Sequence, residues 1–382
     1  MKIVFAGSGT GGHFYPHIAV AEALNRLVAE NHLIAPQLYF LAPDPYDEEA
    51  LFANNIAFIR VPAGKVRRYL SFKNVTDFFR TLSGIVRAFF ILFRLVPDVV
   101  FSKGGFASVP VVLAARLIGI PVVIHESDSK PGRATLLAAK FAKRIAVTFE
   151  SSISYFPKQV RSNIALTGIP IRERIMRPQP DGAREELKLD PNAPTVLILG
   201  GSLGSQRINE IVLSGLPDLV AFANVIHQTG KNQFDEVRTR GGVILEQNAN
   251  RERYHVFPFL SPESMSRAYG AANAVVSRAG ATTIAEIALS QRPAIIIPIP
   301  EAISHDQKTN AYAYARTGAA EVLEEENMTP HILISELRRI IDPSVANVMS
   351  TAAAGFANPL AGRLIAEELL RIAMSHNEPS KI

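Results

Sequence analysis

Gly7, Gly9 and Gly12 stand at G-x-G-x-x-G spacing directly behind a short apolar run, and His13 follows the last of them. Glycines in such a turn allow close backbone approach, and the helix that follows offers unpaired N–H groups to a phosphate. A second loop of the same style, Gly200-Gly-Ser-Leu-Gly204, again leads from an apolar run into a helical pattern. Two such loops in opposed domains can enclose a diphosphate and the acceptor it reacts with. His13 suits a general base for a hydroxyl at the mouth of the first loop; its plain alternative is a first-turn helix residue.

The first loop also matches a dinucleotide-binding fingerprint, which requires an acid closing the second strand roughly 20 residues on. Glu22 falls in mid-helix instead, and Asp44 arrives late between Pro43 and Pro45, which disfavours an NAD(P) enzyme. The chain has no cysteine, so thiolate chemistry and disulfides are excluded. No Asp-x-Asp pair sits in a suitable loop, and the zincin, P-loop lysine and nucleophile-elbow motifs are missing. No metal ligand set and no required cofactor is therefore expected.

These loops need elements to hold them. Short apolar runs at Lys2–Ala6, Leu38–Leu41, Val99–Ser102, Val122–His125 and Ile145–Thr148 read as strands. So do Val196–Leu199, Val225–His227, Ala274–Ser277, Ala294–Ile297 and Glu321–Leu323. Helical patterns at Pro16–Ala29, Val109–Leu117, Ser205–Ser214 and Thr283–Leu289 alternate with them, the signature of parallel sheets covered on both faces. The halves echo one another. The run into the first glycine loop resembles the run into the second, and Val99-Val-Phe-Ser-Lys-Gly-Gly resembles Ala274-Val-Val-Ser-Arg-Ala-Gly. The expectation is an α/β chain of two Rossmann-like domains facing a central cleft, with a hinge near Gly168-Ile-Pro-Ile. At 382 residues the chain is long enough for two cores. The expected domains are 1–169, 170–357 and a C-terminal segment 358–382 that crosses back onto the first. The N-terminal apolar run is too short for a signal-peptide core, and no segment approaches the ~20 apolar residues of a membrane span. A cytoplasmic protein follows. The net charge of +5 leans mildly toward anionic partners.

With these residues in hand the chain resembles the MurG family, peptidoglycan transferases that add N-acetylglucosamine to a lipid-linked N-acetylmuramyl-pentapeptide. The matching segments are Gly9-Thr-Gly-Gly-His13, Lys103-Gly-Gly-Phe-Ala-Ser108, His125-Glu126, Gly200-Gly-Ser-Leu-Gly204, Ser277-Arg-Ala-Gly-Ala-Thr-Thr-Ile-Ala-Glu286 and Gln307-Lys-Thr-Asn-Ala311, in the family's order. The resemblance implies a glycosyltransferase fold of the B type, called GT-B, with UDP-N-acetylglucosamine mainly on the second domain. The lipid-pyrophosphate acceptor falls to the first. It implies His13, with Glu126 nearby, as the proton acceptor, and Thr10, Gly11, Gly12 and Asp128 around the acceptor's phosphates or donor sugar. Glu286 would take the ribose hydroxyls, Gln307 and Asn310 the sugar, and Leu260 the uracil. Arg172 and Ser202 would meet the diphosphate, with Ala281, Thr282 and Thr283 completing the donor site. A lipid glycosyltransferase with another acceptor, a UDP-N-acetylglucosamine epimerase, an NAD(P) oxidoreductase and a non-catalytic lipid-surface module are the rival readings.

The chain departs from the family's pattern in three places. Ser127-Asp128 stands where Gln-Asn is usual, Gly168-Ile-Pro170 where Gly-Asn-Pro is usual, and Phe106 where tyrosine is commoner. Asp128 accepts hydrogen bonds only, and it repels a diphosphate unless paired.

A polyprenyl-linked acceptor would bring the enzyme to the membrane surface. Lys65 to Pro97 carries seven basic residues against Asp77, with six phenylalanines between them. Arg80, Arg87 and Arg94 recur every seventh residue on one helix face. Such a helix suits an anionic lipid surface, so the protein is expected at the cytoplasmic face as a peripheral enzyme. The alternative is a helix that packs its apolar side on the sheet with its arginines in water. No nucleic-acid module is recognisable.

Overall fold

The computed structural model describes residues 1–7, 10–65, 72–201, 204–301 and 305–375. Two compact units divide the chain: Met1–Arg172 with the C-terminal segment from Asn358, and Glu173–Ala357. The division follows Arg172, so this arginine lies in the first unit.

The first unit holds seven strands: β1 (Lys2–Ala6), β2 (Gln37–Ala42), β3 (Ile56–Arg60), β4 (Val99–Ser102), β5 (Val122–Glu126), β6 (Arg144–Val147) and β7 (Ile164–Leu166). Their order in the sheet is β3-β2-β1-β4-β5-β6-β7. All pair in parallel, with Ile3 opposite both Leu38 and Val99. The second unit holds β8 (Thr195–Leu199), β9 (Asn224–Gln228), β10 (Tyr254–Phe257), β11 (Ala274–Arg278), β12 (Ala294–Ile297) and β13 (Ala320–Val322), ordered β10-β9-β8-β11-β12-β13. In each sheet the first strand of the unit separates the second from the fourth. This is the doubly wound order, whose crevice opens where the strand sequence reverses, between β1 and β4 and between β8 and β11. The two sequence echoes are therefore the two strands flanking each reversal. The expected α/β class with twin Rossmann-like domains is what the chain adopts.

The inner strands are buried on both faces, as their continuous apolar runs require. Three strands escaped the sequence reading: β3, β7 and β10. Each is an edge strand, only partly buried, and so lacks an unbroken apolar run. The first helix also begins earlier than Pro16 suggests. It spans Gly11–Glu30 (α1) with Thr10 at its N-cap, so Gly11, Gly12 and His13 form its first turn and Pro16 lies inside. The C-terminal helix Ala361–Ser375 packs against α1, and Ile365, Ala366, Leu369, Leu370, Ile372 and Ala373 join Phe5, Phe14 and Leu24 in one core.

Two further helices matter below: α2 (Glu48–Ala53) and α3 (Phe72–Leu95). Helix α3 buries Ala88 and Leu92 against the sheet, yet its opposite side is apolar too. Phe78, Phe79, Phe90 and Phe93 are 59–63% exposed, and Val75, Leu82 and Val86 extend the same stripe. Arg80, Arg87 and Arg94 are exposed along one flank. The helix thus shows a second hydrophobic face, and not arginines alone, to its surroundings. Among the described residues no helix is long and apolar enough to cross a membrane.

The segment that follows β3 runs close against α3. A methyl group on Gly84 would land on the Pro62 carbonyl oxygen. Gly84→Ala is therefore expected to cost about 2 kcal/mol in urea denaturation, because backbone must move. Gly242→Ala, in a helix position with open space around it, should instead gain roughly 0.5 kcal/mol.

Candidate active site

Parallel strands gather all their C-terminal ends at one edge, and each unit presents its loops there. In the first unit, α1 springs from the end of β1. The Thr10 carbonyl accepts from the amides of His13 and Phe14 at 3.1 Å each. The Thr10 hydroxyl lies 3.3 Å from His13 Nδ1. When Nδ1–H donates to Thr10 Oγ1, the lone pair resides on Nε2, which is the tautomer a general base needs. The Gly11 amide points toward the Tyr46 hydroxyl.

Arg172 lies over the ring of Tyr15, 3.8 Å from its centroid. The Tyr15 hydroxyl donates to Asp47 Oδ2 at 3.1 Å, while Asp47 Oδ1 caps α2 through the Ala50 amide at 2.9 Å. Burial pushes the Tyr15 phenol up to about 12, opposed by Arg172 and reinforced by Asp47. Tyr15, Tyr46 and Asp47 thus fix the guanidinium within hearing of the first turn of α1; no sequence motif had pointed to these three.

On the other side of the reversal, β4 and β5 end in a buried polar cluster. Lys103 Nζ donates to His125 Nδ1 at 2.6 Å and to Ser127 Oγ at 3.1 Å. His125 Nε2–H donates to the Gly168 carbonyl at 2.8 Å, so the imidazole is held in one neutral tautomer. Burial, then the Lys103 charge, keep it well below the ordinary histidine range. Glu126 accepts from the backbone amides of Asp128 at 3.0 Å and Gly132 at 3.1 Å, one at each oxygen. Burial and then the Asp128 charge push its carboxyl up. With both oxygens turned into its own loop, Glu126 organises residues 127–132, and the geometry favours that work over proton abstraction. Asp128 is half-buried, and its charge acts on both Lys103 and Glu126.

In the second unit, the glycine loop runs from β8 into the helix Gln206–Ser214, which Ser205 caps through the Ile208 amide. Gly204 takes a positive φ of 80° and lies against the Thr229 carbonyl, where a side chain would clash. Ser202 falls outside the described residues. Gln228, at the end of β9, accepts the Leu260 amide at 2.9 Å, and the Leu260 side chain is buried. The helix Ala281–Ser290 follows β11 with Gly280 as its N-cap, so Ala281, Thr282 and Thr283 are its first turn. One turn on, Glu286 Oε2 accepts from the hydroxyl of buried Tyr269 at 3.2 Å. Gln307 Oε1 accepts from the amides of Ala279 at 3.2 Å and Ile299 at 3.3 Å, tying the loops after β11 and β12. Asn310 is fully buried and donates to the Ala279 carbonyl at 3.4 Å. It shapes this loop from below.

Arg278 binds the remaining pieces. Its guanidinium donates to Ser205 Oγ at 2.6 Å, pairs with Glu325 and reaches the carbonyls of Ile297 and Pro298. Lys103 and Arg278 occupy the same place in the two echoes, after Ser102 and Ser277 at the end of the fourth strand of each unit. Each is a cation that pins its neighbouring loops, a signal present in the repeat itself.

The N-terminal domain of glycosyltransferase family 28 matches residues 3–147, and the C-terminal domain of the same family matches residues 195–364. A Treponema denticola protein named as a UDP-N-acetylglucosamine–N-acetylmuramyl-(pentapeptide) pyrophosphoryl-undecaprenol N-acetylglucosamine transferase is 35% identical, covering 98% of this chain and 99% of its own. A Clostridium kluyveri protein of the same name is 37% identical over 89% of this chain and 91% of its own. The chain belongs to the MurG family. In agreement, the crystal structure of Acinetobacter baumannii MurG superposes with a TM-score of 0.73 at 28% identity, covering 97% of this chain and 99% of that one. A Neisseria meningitidis UDP-N-acetylglucosamine 2-epimerase shares the fold, with a TM-score of 0.68 at 16% identity. The architecture is the two-domain GT-B type.

The double acceptance by Gln307 can be checked directly. Gln307→Leu leaves the Ala279 and Ile299 amides without their acceptor, at a cost of roughly 1–3 kcal/mol. Amide hydrogen exchange at both positions should accelerate, while exchange in β8 stays unchanged.

Proposed function

We infer that this chain transfers N-acetylglucosamine from UDP-N-acetylglucosamine to the C4 hydroxyl of a polyprenyl-pyrophosphoryl N-acetylmuramyl-pentapeptide, a step of peptidoglycan synthesis. The observation that carries the reading is full-length kinship with relatives named for that reaction. The family motifs also fall at the C-terminal edges of both sheets.

The second unit is the donor side. Glu286, steadied by Tyr269, accepts from the ribose hydroxyls, and the buried Leu260 backs the base. The first turn Ala281–Thr283 offers amides and hydroxyls to the diphosphate, and Gln307 and Asn310 set the loop around the sugar. The first unit is the acceptor side, where the first turn of α1 receives phosphate oxygens.

In the transfer, the C4 oxygen attacks the anomeric carbon as the bond to the diphosphate breaks, and the electron pair leaves with UDP. The anomeric centre inverts. His13 Nε2 takes the hydroxyl proton, oriented by Thr10 through Nδ1. Helix N-termini and Arg172 stabilise the charge that develops on the leaving diphosphate. Glu126 serves by fixing the loop that carries Asp128.

The lipid tail of the acceptor gives the exposed face of α3 a purpose. A phenylalanine stripe that enters the lipid interface, flanked by arginines that meet anionic headgroups, supports a peripheral position on the membrane surface.

Two measurements test this reading. UDP release from UDP-N-acetylglucosamine should depend on the lipid-linked muramyl-pentapeptide, whereas an epimerase would act on the donor with no acceptor at all. His13→Ala should then lower kcat by about a hundredfold or more. Normal turnover with only a raised acceptor KM would assign His13 to binding. For the membrane face, reversing Arg80, Arg87 and Arg94 to glutamate should weaken partitioning onto anionic vesicles by well over a hundredfold, since each change removes a cation worth ~1 kcal/mol and adds an anion that the surface repels. Unchanged partitioning would remove α3 from the lipid contact.

A further inference from the structure

Lys103 is almost wholly buried at the end of β4, beside the reversal of the first sheet. An ammonium out of water is costly unless its protons and its charge are both met. Its hydrogen-bond partners, His125 Nδ1 and Ser127 Oγ, supply lone pairs but no negative charge. The countercharge comes from the last residue of β5, Glu126, and then from Asp128 in the loop that follows, both of which favour the charged lysine. Glu126 is committed at both oxygens to the amides of Asp128 and Gly132. Asp128 is the less buried of the two acids and stands outermost.

The arrangement solves a specific difficulty. A loop bearing an acid sits on the side that must accept a pyrophosphate, and two like charges at that range repel. The buried cation beneath the loop offsets the acid and holds the loop's first residues at the same time. Burial also lowers the Lys103 pKa, and the two carboxylates resist that fall. The other unit carries a parallel device in Arg278, which offsets Glu325 while tying three loops.

We propose that Lys103 is a positioning residue for the acceptor: it locks His125 and Ser127 in place and neutralises Asp128, so that an acid-bearing loop can admit an anionic lipid pyrophosphate. The proposal rests on the glycosyl-transfer reading above. It assigns Lys103 no direct contact with either substrate.

The test is a double-mutant cycle on the full-length enzyme, using Lys103→Met, Asp128→Asn and the pair, with UDP release measured against lipid-linked muramyl-pentapeptide and against donor separately. Lys103→Met should raise the acceptor KM by about tenfold or more while donor KM stays within about twofold. Adding Asp128→Asn should bring the acceptor KM back to within about threefold of the parent, since the acid that Lys103 offsets is then gone. An unchanged acceptor KM in Lys103→Met overturns the proposal. So does a double variant whose acceptor KM stays as high as that of Lys103→Met, or an equal rise in donor KM, because a collapsed loop would give either. Should Lys103→Met fail to fold by circular dichroism, Asp128→Asn alone decides: acceptor KM falling about threefold supports the proposal, and an unchanged or raised KM overturns it. A parent enzyme without acceptor-dependent UDP release would sink the transfer reading itself, whereas normal parent activity with an indifferent Lys103→Met sinks this proposal alone.

Discussion

Parallel pairing is the constraint from which the rest of this molecule follows. A parallel strand cannot return by a hairpin, so each strand must be followed by a crossover that starts at the same edge of the sheet. Every strand in both sheets obeys this. Every β-to-α turn therefore collects at one edge, and the helices that follow aim their N-termini there. The segments after β1 and β8 lead into two of these helices, beside the gap that the reversal of strand order opens. Chemistry directed at a diphosphate needs little beyond what this geometry supplies.

What the geometry does not supply is rigidity in the loops, and buried polar side chains provide it. His125 ties β5 to the Gly168 carbonyl, and Asn358 Nδ2 holds the neighbouring Thr167 carbonyl at 2.7 Å. Glu126, Gln307 and Asn310 each spend their polar atoms on backbone groups of their own or adjoining loops. Several residues whose chemistry suits a substrate are thus occupied in shaping the surface that would meet it. Such networks are stabilising only when complete, which explains why a lysine and a histidine can both lie buried within hydrogen-bond distance.

Ten of the strands were legible in the sequence; all but the edge strand β13 are inner strands, where burial on both faces writes a continuous apolar run. The edge strands β3, β7 and β10 were not, because half-burial leaves a mixed pattern that no period marks clearly. The start of α1 was hidden for another reason. Pro16 is an ordinary opening residue for a helix, and it outweighed the glycines that in fact form the first turn. The site divided similarly. His13, Glu286 and Gln307 stand out in the sequence by motif and chemistry, yet the direction in which Glu126 or Asn310 points is a tertiary fact. Lys103 and Arg278 were visible as a repeated Ser-basic pair, but their meaning depends on the loops above them. The apolar outer stripe of α3 was readable as composition; only the structure shows that it is left uncovered by the unit's own core.

The C-terminal helix has a consequence for how the chain is made. Six of its residues complete the core that also contains Phe5, Phe14 and Leu24, so the first unit joins elements far apart in the chain, on either side of the second unit. Synthesis proceeds from the N-terminus, and domains generally fold as units when their residues have emerged. The second unit is encoded by one unbroken segment, so its closure needs nothing from beyond Ala357. The first keeps part of its apolar surface open until the helix Ala361–Ser375 has been made, and the slow long-range contact of that helix with α1 sets when the unit is finished. The unit translated first is the one completed last.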